Sequence, residues 1–185
     1  MKLFFGTGNA NKFDEFRETI NDEVELEQVD RDVLEPQLES VEKVAVHKLE
    51  RLLEKTDIDS EWVFVEDSGL FVDELDGFPG AFTSTFSNNV GRQKLLRLID
   101  SDGSAEFKTA IAIRNPETDS IDTLVGSCKG RLVDPRGDDG WGFDPYFEPK
   151  GHDKTFSEDM EYKEKVSHRK TAAKKLNKYL KQNVL

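Results

Sequence analysis

Glu66 and Asp67 stand side by side directly after the apolar run Trp62-Val63-Phe64-Val65. Two carboxylates beside a core need a partner of opposite charge. A divalent metal would serve, one acid binding Mg2+ while the other activates a water; solvated acids on a bulge, with Ser68-Gly69 making a turn, are the plainer alternative. A second candidate is Thr7-Gly8-Asn9, placed between a short apolar run and a helix start, where free N–H groups and the helix dipole favour an anion such as phosphate. Lys12 follows within the first helical turn and can reach the same anion. The glycine spacing and the Lys-Ser/Thr ending of a Walker loop are missing, and an ordinary capped helix would read the same way.

Gly140-Trp141-Gly142-Phe143-Asp144-Pro145 offers aromatic rings flanked by glycines that leave at least one ring face open to a flat partner. Stacking of a base on an aromatic ring is worth about 1–3 kcal/mol and barely distinguishes the bases, so selectivity falls to polar neighbours such as Asp144. A tight turn with two core aromatics has the same composition. Lys163 and Ser167-His168-Arg169 gather donors where the last helix begins, suited to a phosphate or to a carbonyl oxygen on a base. A capped basic helix end is the alternative there. His47 and His152 read as surface residues, and Asp100-Ser101-Asp102-Gly103 as a turn, because the later ligands of a calcium loop are absent.

The elements that must carry these residues follow from periodicity. Lys2 to Gly6 reads as a buried strand, followed by a helix with Phe13, Phe16 and Ile20 on one face. Ser40 is the expected N-cap of a second helix bearing Val41, Val44, Ala45, Leu49, Leu52 and Leu53 at helical spacing. Trp62–Val65 and Leu70–Val72 read as strands separated by Glu66-Asp67-Ser68-Gly69, with turns at Asp76-Gly77 and Pro79-Gly80. A helix is expected over Val90–Ile99, burying Leu95, Leu98 and Ile99. Phe107 to Arg114, Ile121 to Val125 and Lys129 to Val133 read as antiparallel strands, broken at Asn115-Pro116. A final helix capped by Ser167 buries Ala172, Leu176, Tyr179 and Leu180. Strands and helices mixed in this way predict an α/β class around a central mixed sheet.

The chain has 185 residues, enough for one well-buried core or two lobes around a cleft. Its 13 Phe exclude wholesale disorder despite 35% charged residues. The net charge of -12 argues against coating nucleic acid or anionic membranes; it fits an ordinary acidic surface or a salty cytoplasm alike. Cys128 is the only cysteine, which excludes an intramolecular disulfide and a cysteine-rich zinc site and fits a reducing cytoplasm. No apolar run approaches the roughly 20 residues of a membrane span.

Taken together, Thr7-Gly8-Asn9-Ala10-Asn11-Lys12, Glu66-Asp67-Ser68-Gly69-Leu70, Gly77-Phe78-Pro79-Gly80, Gly140 to Pro145 and Ser167-His168-Arg169 resemble, in order, the motifs of the inosine triphosphate pyrophosphatase family. The resemblance spans nearly the whole chain and implies one domain over residues 1–185. It implies an elongated, two-lobed α/β protein with the active-site cleft between the lobes, usually a homodimer. The activity implied is Mg2+-dependent hydrolysis of ITP, dITP or XTP to the monophosphate and pyrophosphate. By position it makes Asp67 the general base, with Glu35, Glu66 and Asp67 at the metal. Thr7, Asn9, Lys12, Lys48 and Ser68 would hold the triphosphate; Trp141, Phe143, Asp144, Lys163, His168 and Arg169 would form the base pocket. Glu39 and Glu42 are alternatives to Glu35, whose surroundings lack the family's frequent glycine. Where many bacterial members read Tyr-Ser-Ala-Arg after Pro-Gly, this chain has Phe82-Thr83-Ser84-Thr85 and no arginine. A pyrophosphatase for other modified nucleotides, or a nucleotide sensor without catalysis, are the rival readings.

Overall fold

A computed structural model describes residues 1–33, 36–58, 60–100 and 103–184. In chain order the elements are β1 (Lys2–Gly6), α1 (Ala10–Arg17), β2 (Glu25–Val29), α2 (Val41–Glu54), β3 (Trp62–Val72), β4 (Pro79–Gly80), α3 (Thr83–Asn89) and α4 (Arg92–Leu96). They continue with β5 (Ser104–Asn115), β6 (Ser120–Leu132), β7 (Phe147–Pro149), α5 (Met160–Val166) and α6 (His168–Asn183). One sheet carries all seven strands in the order β2-β1-β3-β5-β6-β7, with the short β4 on β3. β1 runs parallel to β2 and β3, and the remaining pairs are antiparallel, so the sheet is mixed as its α/β pattern predicts.

β3 differs from expectation in a way that matters for the site. It is unbroken: Glu66, Asp67, Ser68 and Gly69 pair in register with Ile111, Ala110, Thr109 and Lys108 of β5. The acids stay in the strand because β5 satisfies their backbone groups and cations from outside the strand meet Glu66, so no turn is required to expose them. Gly69 also permits a close approach, since a Cβ there would lie 2.3 Å from the Gly80 carbonyl oxygen. β6 is likewise a single strand across the two segments read from sequence, paired with β5 from Ser120 to Arg131. Of the helix expected over Val90–Ile99 only Arg92–Leu96 forms, as α4, and α3 precedes it over Thr83–Asn89. Gly91, at φ +98°, separates them in a conformation that side chains rarely adopt, and Leu98 is 51% exposed rather than buried.

Strand alternation sorts the core. On one face Trp62, Phe64, Ile111 and Ile113 pack against Phe16 and Ile20 from the first helix and its exit and against Ala172, Ala173, Leu176 and Leu180 of α6. On the other, Val63, Val65, Ala110 and Ala112 meet Val41, Ala45, Leu49 and Leu52 of α2. Ser40 caps α2 by accepting from Lys43 N, and Ser167 caps α6 by accepting from Lys170 N, both as expected. Farther along the same strands Leu70, Val72, Ala105 and Phe107 join Phe86, Leu95, Phe143, Phe147 and Phe156 in a third cluster. β3 and β5 therefore run from one core to the next, and the cleft opens where they change neighbours. Among the described residues no helix is long and apolar enough to cross a membrane.

Candidate active site

Alternation along β3 sends its two acids to opposite faces. Glu66 follows Phe64 towards α1 and α6, where Lys12 Nζ pairs with its Oε1 and the Ser68 hydroxyl donates to its Oε2 at 2.6 Å. Arg169 Nε lies 3.5 Å from the same Oε2. Burial opposes the charge on Glu66, but Lys12, Arg169 and Lys48 outweigh it and hold the carboxyl well below the usual range. Asp67 follows Val65 to the α2 face and lines the cleft together with Lys48. Lys48 Nζ donates to the Glu66 backbone carbonyl at 3.2 Å, so the two lysines grip one residue of β3 from its two sides.

The Thr7 loop is shaped by its own side chains. Thr7 Oγ1 accepts from Asn9 N, and Asn9 Oδ1 accepts from Lys12 N, capping α1. The cap fixes the first turn and hence where Lys12 begins.

At the other end the Trp141 segment is held by carboxylates. Trp141 N donates to Asp144 Oδ2 at 2.7 Å, and Gly140, at φ +79°, makes room for that carboxylate: a Cβ there would lie 2.4 Å from the same oxygen. Glycine at 140 thus serves the Asp144 turn, while Gly142 has open space around it. Lys163 Nζ donates to Asp144 Oδ2 at 2.8 Å and to Glu15 Oε1 at 2.9 Å. Glu15 also accepts from Trp141 Nε1 at 3.0 Å and from Arg169 Nη1 at 2.5 Å. The guanidinium of Arg169 sits over the indole, 5.2 Å from its centroid, and Lys163 at 5.7 Å. His168 is buried and stacks on Phe107 at 4.6 Å. Burial and the neighbouring Arg169 push its pKa down to about 3, so it is neutral at pH 7 and offers one N–H.

Of the residues singled out from sequence, Thr7, Asn9, Lys12, Lys48, Asp67, Ser68, Trp141, Phe143, Asp144, Lys163, His168 and Arg169 all line one cleft of about 590 Å³. Glu66 stands behind them as an anchor for cations. Glu35, Ser101 and Asp102 lie outside the described residues. Glu39 pairs with Lys43 and Glu42 accepts from Ser40, and neither lines the cleft. His152 is half-buried rather than a surface residue, stacked on Tyr162 and bonded to Asp159, and His47 is half-buried beside Arg51. Sequence reasoning passed over Glu15, which joins α1 to α5, α6 and the Trp141 turn. Its only signal is a position three after Lys12 on the same helix face, and Asp14 and Glu18 look no different.

The chain as a whole has relatives. A profile of the Ham1 family matches residues 3–179. A dITP/XTP pyrophosphatase of Methanopyrus kandleri is 35% identical over 100% of this chain and 98% of its own, and one of Ignicoccus hospitalis is 38% identical over 97% and 96%. Among solved structures, a HAM1 protein from Coxiella burnetii superposes with a TM-score of 0.85 at 27% identity, covering 98% of this chain and 99% of that one. The Staphylococcus aureus Ham1 protein gives 0.82 at 26%, with the same coverage. The strand-borne acids, the capped Thr7 loop and the Trp141 turn thus sit in a chain that belongs to the Ham1 family.

Proposed function

We propose that this protein hydrolyses hypoxanthine and xanthine nucleoside triphosphates (ITP, dITP and XTP) to the monophosphate and pyrophosphate, removing them from the nucleotide pool. The observation that carries the reading is the single cleft that joins a lysine-bearing, capped loop beside Asp67 to an aromatic turn ringed by donors. Relatives that bear the name dITP/XTP pyrophosphatase support it.

Magnesium belongs to this proposal. Mg2+ is commonly held by one or two carboxylates, waters and the substrate's own phosphates, and Asp67 brings one carboxylate to the cleft. The hard oxygen donor of Asp67 fits, with Glu35 as its proposed companion. When bound, the ion would offset charge on the phosphates. The chain's own residues do the rest. Lys12 and Lys48 bring positive charge to the triphosphate. Asp67 orients a water and takes its proton as the oxygen bonds to the α-phosphorus, the bond from that phosphorus to the α–β bridging oxygen breaks, and pyrophosphate leaves with the bridging oxygen. Glu66 keeps Lys12 extended towards the loop. At the base end Trp141 stacks on the purine, while His168 and Arg169 donate to the 6-oxygen, which adenine lacks. A site built around donors can disfavour such a mismatch by about 10⁴. Two copies are proposed to act together, with exposed Phe78, Val90 and Leu98 offering apolar surface for pairing.

Magnesium-dependent pyrophosphate release, measured across ITP, XTP, dITP, GTP, ATP and dUTP, tests the reading and separates it from a pyrimidine-directed enzyme or a sensor. Asp67→Asn should cut turnover by a factor of about 10²–10⁴ with nucleotide binding largely kept. Near-normal turnover in that variant would remove Asp67 from the chemistry.

A further inference from the structure

Three cations of the cleft are held by acids. Lys12 pairs with Glu66, Lys163 with Glu15 and Asp144, and Arg169 with Glu15 and Glu66. Arg92 differs. It opens α4, lines the same cleft, and its guanidinium lies over the Phe143 ring at 5.9 Å. Its Nε is buried without a hydrogen-bond partner, and among the described residues no carboxylate pairs with it. In a chain with 38 acidic and 26 basic side chains, a partly buried arginine left without an acid is the exception. Arg31, which also lines the cleft, is exposed, so water can satisfy it. A buried donor left unmade is costly unless a ligand or water completes it.

Its place tells which part of a ligand it meets. Phe143 lies edge-on to Phe107, whose ring stacks on His168. Arg92 therefore belongs to the aromatic end of the cleft, whereas Lys12 and Lys48 flank Glu66 at the other. His168 and Arg169 already supply donors suited to the purine 6-oxygen. The remaining difference among hypoxanthine, xanthine and guanine is the 2-position, which carries a hydrogen, an oxygen or an amino group. Arginine offers only donors.

We infer that Arg92, lying over the Phe143 ring, reads the purine 2-position, favouring the 2-oxygen of xanthine and rejecting the 2-amino group of guanine. The inference rests on the proposed pyrophosphatase activity and deepens it. A 2-oxygen accepts from the guanidinium, a C–H neither gains nor loses much, and an amino group sets donor against donor. Xanthine nucleosides also lose a ring proton near neutrality, which places negative charge on the face of the base that Arg92 would meet. This explains how a pocket that accepts a 6-oxygen can still turn GTP away.

The test is kcat/KM for XTP, ITP and GTP with the full chain, comparing the unaltered protein with Arg92→Met and Arg92→Lys. Met keeps the packing on Phe143, and Lys keeps the charge. In Arg92→Met the XTP/ITP ratio should fall about tenfold and the GTP/ITP ratio should rise about tenfold. Arg92→Lys should recover part of the XTP preference. The XTP/ITP ratio of the unaltered protein should climb with pH as xanthine ionises, and that climb should vanish in Arg92→Met. Either ratio staying put, or an equal loss on all three substrates, overturns the role of Arg92. An unaltered protein inert on XTP and ITP overturns the pyrophosphatase reading as well.

Discussion

Glu15 receives an indole N–H, an ammonium and a guanidinium from three separate segments. Burial works against its charge, yet Arg169 and Lys163 outweigh that and bring its carboxyl down to about 2. Breaking one member of such a network leaves its partners without compensation, so Glu15→Gln should cost about 1–3 kcal/mol of stability. Urea unfolding at pH 7 reads this directly, and an unchanged midpoint would mean that Asp144 and Glu66 suffice for the two cations. Lys12, Asp67 and Trp141 were legible in the sequence because their types and immediate neighbours already suggest phosphate, water and a flat ring. Glu15 was not, because its partners lie 126 to 154 residues away. Local spacing contains nothing about them.

At the scale of elements, α2 and α6 were legible from Ser40, Ser167 and the apolar positions after them, since capping and a 3.6-residue period are local properties. The continuity of β3 was not, because what keeps Glu66 in a buried strand comes from α1 and α6. The seat of α6 depends on Gly126 of β6. A Cβ there would lie 2.2 Å from Ala172 N and 2.3 Å from the His168 carbonyl oxygen, all backbone that cannot swing aside. Gly126→Ala should therefore push the first turns of α6 off the sheet, costing about 1–3 kcal/mol and displacing His168 and Arg169 with it. Thermal unfolding and nucleotide KM should both worsen. A stable variant with an unaltered KM would show that α6 has slack the backbone distances deny.

For the molecule as a whole, the buried charges at the joint between the cores set its response to acid. His168 has a folded pKa lowered from 6.5 to about 3, so below pH 6.5 the unfolded chain takes up a proton that the folded one refuses. Stability from this group is complete above 6.5 and is lost as pH falls towards 3. Glu15, lowered from 4.5 to about 2, is complete above 4.5 and is lost below it. The net charge of -12 is relieved mainly where surface carboxylates titrate, around pH 4. Between pH 6.5 and 5 the urea midpoint should thus decline chiefly through His168, and His168→Gln should flatten that decline. A midpoint that holds steady or rises over this interval in the unaltered protein would contradict a buried, neutral imidazole.

Because the proposed base donors His168 and Arg169 sit on α6 while Asp67 lines the cleft beside Lys48 of α2, the two tasks proposed for the cleft are separable by inheritance. Changes reaching the site through α6 meet His168 and Arg169, and on the proposed roles alter which base is accepted, whereas those through α1 meet Lys12 and its partner Glu66 and act on the phosphates. Changes reaching it through α2 meet Asp67 and Lys48, and so alter turnover. Relatives could drift in substrate preference while their hydrolytic machinery stays untouched, and a designer could exchange one without rebuilding the other.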